Sequence, residues 1–187
     1  MAAWVVCAFT ARLLTEMAHD LTWLNSLSDA EAADELLKCC GSKRWAHHVA
    51  SGRPYDALDD LIATANDIWW SLDSNDWLEA FRSHPKIGEQ NAAEQVAQQS
   101  REWSTDEQSG VASASPETSD ELARLNREYE QKFGFIFIIC ATGKTPEEIL
   151  SALRERLKND AAVELQVAAT EQNKITELRL KKLLSAS

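Results

Sequence analysis

Helix-start signals recur along this chain, and each is followed by apolar residues spaced three or four apart. Ser28 and Glu31 have capping-box spacing, with Leu36 and Leu37 behind them. Ser42, just past Gly41, can cap a short helix carrying Trp45 and Val49. A stripe of Leu58, Leu61, Ile62, Ala65, Ile68, Trp69 and Leu72 predicts a helix over 56–72. Asn75 or Asp76 opens the next, with Trp77, Leu78 and Phe81; it must finish before Pro85, which pushes its predecessor out of the α region. Thr118 and Glu121 form another capping pair ahead of Leu122, Leu125, Tyr129 and Phe133, with Gly134 as the stop. Thr145-Pro146-Glu147-Glu148 starts a helix buried through Ile149, Leu150, Leu153 and Leu157. The last helix, 161–184, is expected to bury Val163, Val167, Ile175, Leu178 and Leu183. With only 6 Gly and 4 Pro in 187 residues, a turn-rich β-sandwich is excluded. The expected fold is all-α: one compact domain of seven or eight helices over 21–187, behind a short apolar leader over 1–20.

One stretch resists this reading. Phe135-Ile-Phe-Ile-Ile-Cys-Ala141 is apolar throughout, long enough for a strand and too short for an independent helix, and periodicity does not decide between them. Residues 86–117 are polar and rich in Gln, Ser and Ala, as a loop or linker would be.

The net charge of −11 disfavours binding to a phosphate backbone or an anionic membrane surface. The apolar start, MAAWVVCAF, is about half the length of a membrane span and has no basic residues before it. Cys7, Cys39, Cys40 and Cys140 include no CxxC pair, so reduced, partly buried thiols are expected rather than a metal site.

Four features could carry chemistry. His84, at the end of a helix and fixed by Pro85, reads either as a surface helix stop or as a positioned imidazole. At a helix C-terminus the dipole favours its cation, while Arg82 and Lys86 oppose it. His47 and His48 read as a solvated face. Ser104, Glu107 and Gln108 would share one helical face and offer a hydroxyl, a carboxylate and an amide to a ligand rich in N–H and C=O groups; Ser104 with Glu107 also fits a plain cap. The apolar run 135–141 is core by default, but its backbone groups can line a pocket, and the ATGK after it lacks phosphate-loop spacing. Arg179, between Leu178 and Leu180, suits the helix dipole or, if buried, a carboxylate clamp.

These residues also match a family. CCGS at 39–42, IWWSLDSNDWLEAFRSHPKIG at 68–88, STDEQ at 104–108, KFGFIFIICATGKT at 132–145 and AATEQNKITELRL at 168–180 resemble 2-oxo-4-hydroxy-4-carboxy-5-ureidoimidazoline (OHCU) decarboxylases. The run Phe133–Gly143 is most similar to the plant form, in which this domain is fused to a transthyretin-like hydrolase. The resemblance implies an all-α homodimer without metal or organic cofactor, releasing CO₂ from a ureidoimidazoline to give (S)-allantoin. It implies His84 as proton donor and Glu107 as a second catalytic residue. It places Pro85, Ser104, Gln108, the backbone of Phe137, Ile138, Ile139, Cys140 and Ala141, and Arg179 around the substrate. It further implies functional coupling to a hydroxyisourate hydrolase and a peroxisomal or cytoplasmic rather than secreted location, although the C-terminal LLSAS is not a Ser-Lys-Leu tail. The competing reading is a non-enzymatic helical adaptor that binds partners through 86–117.

Overall fold

The structure, a computed structural model, describes residues 20–84, Trp103 and 114–184. Eight helices are present among them: α1 (Leu21–Ser26), α2 (Asp29–Cys40), α3 (Lys43–Ser51), α4 (Leu58–Ser71), α5 (Ser74–Arg82), α6 (Pro116–Phe133), α7 (Pro146–Arg156) and α8 (Ala161–Leu184). No strand occurs among the described residues.

The caps explain most boundaries. Ser28 and Glu31 form the expected capping box on α2, and Thr145 and Glu148 form another on α7. Gly41 (φ 86°) and Gly134 (φ 78°) end α2 and α6 in the left-handed conformation. Two starts differ from the sequence expectation. Asp73, not Asn75 or Asp76, caps α5 by accepting the Asn75 N–H at 2.8 Å. α6 begins at Pro116, because a proline at the first position has no N–H to satisfy; Ser115 accepts the Thr118 N–H at 3.1 Å. Glu121 is thereby released to accept from Arg124 at 2.8 Å.

α8 is the central strut. It packs against α2, α4, α5 and α6, while α6 pairs with α7 and α3 with α2 and α4. Two apolar clusters flank the Phe135–Ala141 run. Ile138 and Cys140 join the larger cluster, with Trp45, Trp69, Phe81 and Leu180, whereas Phe137, Ile139 and Ala141 join the smaller, with Leu122, Tyr129, Ile149 and Leu153. Alternation of side chains to opposite faces is the signature of extended backbone, and both faces are buried. The uninterrupted apolar run is therefore a single extended segment between two helical layers.

Such a segment has no neighbouring strand to bond to, so its polar groups need other partners. Arg156 Nη1 donates to the Ile138 carbonyl at 2.6 Å, and the Cys140 N–H donates to Glu171 Oε2 at 2.9 Å. Arg156 also donates to the fully buried Glu164 at 2.7 Å, Asn159 donates to the same carboxylate at 2.7 Å, and the Tyr129 hydroxyl donates to it as well. The guanidinium lies over the Phe137 ring, 4.6 Å from its centroid.

The buried face of α8 differs from the expected one. Val163 is 52% exposed, and Val167 and Leu178 are only half-buried. Neighbouring helical residues point about 100° apart, so the ion pair that draws Glu164 inward turns Val163 out. The fully enclosed positions include Glu164, Gln172, Thr176 and Arg179 alongside Ala168, Ile175 and Leu183.

Candidate functional site

His84 follows the last turn of α5. Its N–H donates to the Phe81 carbonyl at 3.2 Å and the Ser83 N–H to that of Ala80 at 3.1 Å, so the chain leaves the helix in a tight turn. This turn lies against the α2–α3 corner. A Cβ on Gly41 would sit 2.1 Å from Ser83 Oγ, and the φ of 86° there also favours glycine. The CCGS motif and Ser83-His84 therefore meet in space, and Gly41 is what lets them.

The approach directs the imidazole inward. His84 Nε2 is sealed from solvent, so the helix stop is not a surface one. Burial, reinforced by the Arg179 guanidinium, lowers the imidazole pKa to about 3, against a smaller opposing effect of the Gln172 amide. The helix dipole, which favours the cation, is thus outweighed, and His84 is neutral at physiological pH. Desolvation disfavours a charge more than half a helix-end charge favours it. His47 and His48 are exposed, as their polar helix face predicts.

Arg179 is 1% exposed, within reach of both His84 and the α2 thiols. Gln172, Thr176 and Arg179 recur at helical spacing along α8 and face the same side. Gln172 Nε2 donates to Thr176 Oγ1 at 3.2 Å, and Thr176 Oγ1 donates back to the Gln172 carbonyl at 3.1 Å. Gln172 Oε1, like His84 Nε2, is buried with no hydrogen-bond partner among the described residues. Both atoms call for an explanation, since buried polar groups are otherwise paired.

Burial raises Cys39 well above the ordinary thiol range and pushes Cys40 up to about 12, so both are un-ionised; Cys39, Cys40 and Cys140 form no disulfide. Among the described residues no group of three or more His, Cys, Asp or Glu stands close enough to hold a metal ion, and no helix is long and apolar enough to cross a membrane.

Of the residues singled out in the sequence, the structure brings His84 near Arg179 of α8 and packs Ile138 and Cys140 of the extended run in the cluster that includes the apolar face of α8, whereas Phe137, Ile139 and Ala141 face the other cluster, formed with α6 and α7. In that run the Ile138 carbonyl, the Cys140 N–H and the Ala141 carbonyl are already bonded within the protein, the last by the Lys144 N–H at 3.0 Å. Pro85, Ser104, Glu107 and Gln108 lie outside the described residues, and with them the His84–Glu107 separation. Trp103, directly before Ser104, packs on the cluster that holds Phe81 and Cys140. Sequence reading missed Glu171, which grips the extended run, and Gln172, which faces His84. For Gln172 the signal was there: the positions seven and three before Arg179, Gln172 and Thr176, lie on its own face of the helix and are polar.

Fold and site together define an all-helical protein with a buried imidazole–guanidinium wall suited to a small polar ligand. The OHCU decarboxylase family profile matches residues 25–181. The chain is 44% identical over 153 residues to the uric acid degradation bifunctional protein TTL of Arabidopsis thaliana, a match covering 81% of this chain and 47% of that one. It therefore spans about half the length of that relative. It is 34% identical over 169 residues to the 2-oxo-4-hydroxy-4-carboxy-5-ureidoimidazoline decarboxylase of Amia calva, covering 88% of this chain and 94% of that one. A crystal structure of OHCU decarboxylase in the presence of (S)-allantoin superposes with a TM-score of 0.69 at 43% identity, covering 81% and 97% of the two chains. The chain belongs to the OHCU decarboxylase family.

Proposed function

We propose that this protein decarboxylates 2-oxo-4-hydroxy-4-carboxy-5-ureidoimidazoline to (S)-allantoin and CO₂, without a cofactor, and that His84 is the proton donor. The observation that carries the reading is the sealed imidazole facing Arg179. The substrate needs little from the protein in electronic terms. The bond from the hydroxyl-bearing carbon to its carboxylate breaks, CO₂ leaves, and the electron pair flows into the adjacent C=N bond of the ring. The ring nitrogen that receives the C=N electrons takes up a proton, matching the one the enol hydroxyl gives up as it becomes the carbonyl, and a proton added to the ureido-bearing carbon sets the S configuration. What remains is positioning and proton delivery.

Arg179 orients the carboxylate by charge-assisted hydrogen bonds. Its grip must stay loose enough that the ground state is not favoured over the transition state. His84 is neutral in the free protein, but the arriving carboxylate offsets Arg179 and favours the imidazolium. Glu107 acts as the second catalytic group, Ser104 and Gln108 grip the ureido N–H and C=O groups, and Pro85 shapes the wall. Backbone groups of Phe137–Ala141 not already bonded within the protein meet the ring. Trp103 on the shared core supports placing 104–108 beside His84.

We extend the reading to residues 21–187 as the functional unit, to a homodimer, to functional coupling with a hydroxyisourate hydrolase, and to a peroxisomal or cytoplasmic compartment. The bifunctional names of relatives such as the Arabidopsis protein support the coupling.

The test is circular dichroism of freshly made urate-oxidation product, following the appearance of (S)-allantoin over the slow racemic background. His84→Asn should fold normally and lose activity by roughly 10²- to 10⁴-fold, the usual worth of general acid catalysis. Near-full activity in this variant would remove His84 from the reaction. An inactive wild type that binds a protein partner through 86–117 would instead favour the adaptor reading.

A further inference from the structure

The extended run is held at two consecutive peptide units, from two different helices. Arg156 of α7 donates to the Ile138 carbonyl at 2.6 Å, and Glu171 of α8 accepts the Cys140 N–H at 2.9 Å. Both units are trans. A trans peptide is planar, and its C=O and N–H point in opposite directions. The bond at the Ile138 carbonyl therefore turns the Ile139 N–H away from Arg156. The bond at the Cys140 N–H turns the Ile139 carbonyl away from Glu171. Both polar groups of Ile139 thus leave by the edge of the run opposite the two holding side chains, as in a strand that offers a donor and an acceptor to its neighbour. No such neighbour is present among the described residues. Ile139 is 7% exposed, and among those residues no hydrogen bond reaches its N–H or its carbonyl. A buried main-chain pair of this kind fits a ligand that carries an N–H beside a C=O.

We propose, resting on the decarboxylase reading in which this backbone meets the substrate ring, that Glu171 is a positioning residue whose bond to the Cys140 N–H aims the Ile139 carbonyl at a ring N–H. Glu171 acts through the main chain and does not touch the substrate. Its other oxygen accepts from Lys174 Nζ at 2.5 Å, and that ammonium side chain is 57% exposed. One carboxylate oxygen is thus tied at the surface and the other reaches the run. Arg156 holds the neighbouring peptide but also carries the Glu164 ion pair, so removing it disturbs much more than the run. Glu171 is the separable half of the clamp.

Two measurements on the full chain separate the bond from its consequence. Nitrogen-15 NMR of the free protein follows the Cys140 amide proton. It should lie downfield in the wild type and in Glu171→Gln, whose amide oxygen still accepts, and move upfield in Glu171→Met, which fills the same space without an acceptor. Turnover of freshly made urate-oxidation product reads the consequence. Glu171→Met should raise KM about ten-fold, the factor carried by a lost hydrogen bond to a charged group, while Glu171→Gln stays within about threefold of wild type. Lys174→Met removes the ion pair and leaves the Cys140 bond, so KM should stay within about twofold. A merely structural role would reduce the amount of active enzyme, and hence kcat, at unchanged KM. Should Glu171→Met fail to fold, Glu171→Ala, which also lacks the acceptor and suits a helix, should show the same rise in KM. With an active wild type, an unchanged KM in the folded variant without the acceptor, or an equal rise in Glu171→Gln, overturns the proposal. A wild type that turns over no substrate sinks the decarboxylase reading and the positioning role together, and the wild-type rate tells the two failures apart.

Discussion

Two buried polar clusters hang from α8, centred on Glu164 and on Gln172, roughly 12 Å apart along the axis at 1.5 Å per residue. In the first, the Glu164 carboxylate receives Arg156, Asn159 and Tyr129, while Arg156 spends a further N–H on the Ile138 carbonyl. In the second, Gln172 Oε1 and His84 Nε2 are enclosed without partners among the described residues. Both clusters cost desolvation, but only the first recovers it internally. That difference separates the two: the saturated cluster fixes the extended run between its layers, and the other leaves polar atoms unmatched among the described residues.

The comparison is broken most violently by Arg156→Met. It strands the Glu164 carboxylate in the interior, and losing one partner of a buried ion pair costs about 3–5 kcal/mol. Urea denaturation checks this. Pairing the change with Glu164→Leu should recover most of the loss, because both charges then disappear together. A single variant within about 0.5 kcal/mol of wild type, the range of ordinary surface changes, would show that the cluster is not what holds the run.

The second cluster predicts the opposite balance. Arg179→Lys keeps a charge but loses the planar fork. KM should rise about ten- to a hundred-fold, the equivalent of a charge-assisted hydrogen bond of roughly 1.5–3 kcal/mol. The urea midpoint should move little. A large stability loss with unchanged KM would make Arg179 structural and erase the distinction between the clusters.

How far the sequence could reveal these clusters follows from the physics of each. Caps were legible because one side chain bonds one nearby N–H: Ser28, Ser42 and Thr145 act where the letters place them. α6 was misplaced by a turn because Ser115-Pro116 and Thr118-Glu121 are both valid starts, and only the chain's path decides. The all-α fold followed from repeated apolar stripes. The extended run stayed ambiguous because both its faces are apolar, so no period could appear. The buried side of α8 misled for the reverse reason. A polar residue is assigned outward by default, and Glu164 goes inward only because Arg156 and Tyr129 arrive from other helices. His84 and Arg179 were legible as candidates; their meeting was not, because it depends on the close approach of Ser83 to Gly41, more than forty residues away in the chain.

A pH series sharpens the comparison from the stability side. The pKa of His84 is lowered in the folded state to about 3, while in the unfolded chain it stands near 6.5. Between these values the unfolded state binds a proton that the folded state refuses. Stability is therefore fully present above about pH 6.5 and declines as pH falls toward 3, by at most about 1.4 kcal/mol per pH unit. His84→Asn should flatten this part of the profile. Glu121, lowered to about 2 by its bond to Arg124, gives a decline of the same sign, so the difference between wild type and variant is the informative quantity. Identical slopes would mean that the ring is not held neutral by burial.

The smallest effect tests whether the saturated cluster is self-contained. Thr145→Ala removes the cap of α7, where Thr145 accepts the Glu148 N–H at 3.2 Å and its own N–H donates to Glu148 at 2.7 Å. The cost should be about 1 kcal/mol, typical of a lost N-cap. Arg156 lies at the other end of the same helix, and that end is secured separately: Lys132 donates to the carbonyls of Leu157 at 2.6 Å and Asn159 at 3.0 Å. Fraying at the cap should therefore not reach the ion pair. Residues this far apart with no shared partner add to within about 0.5 kcal/mol, so Thr145→Ala combined with Arg156→Met should cost the sum of the two in urea denaturation. A combined loss well short of that sum would mean that the cap and the ion pair share one cooperative unit, and the contrast between a closed cluster and an open one would have to be redrawn around the whole of α7.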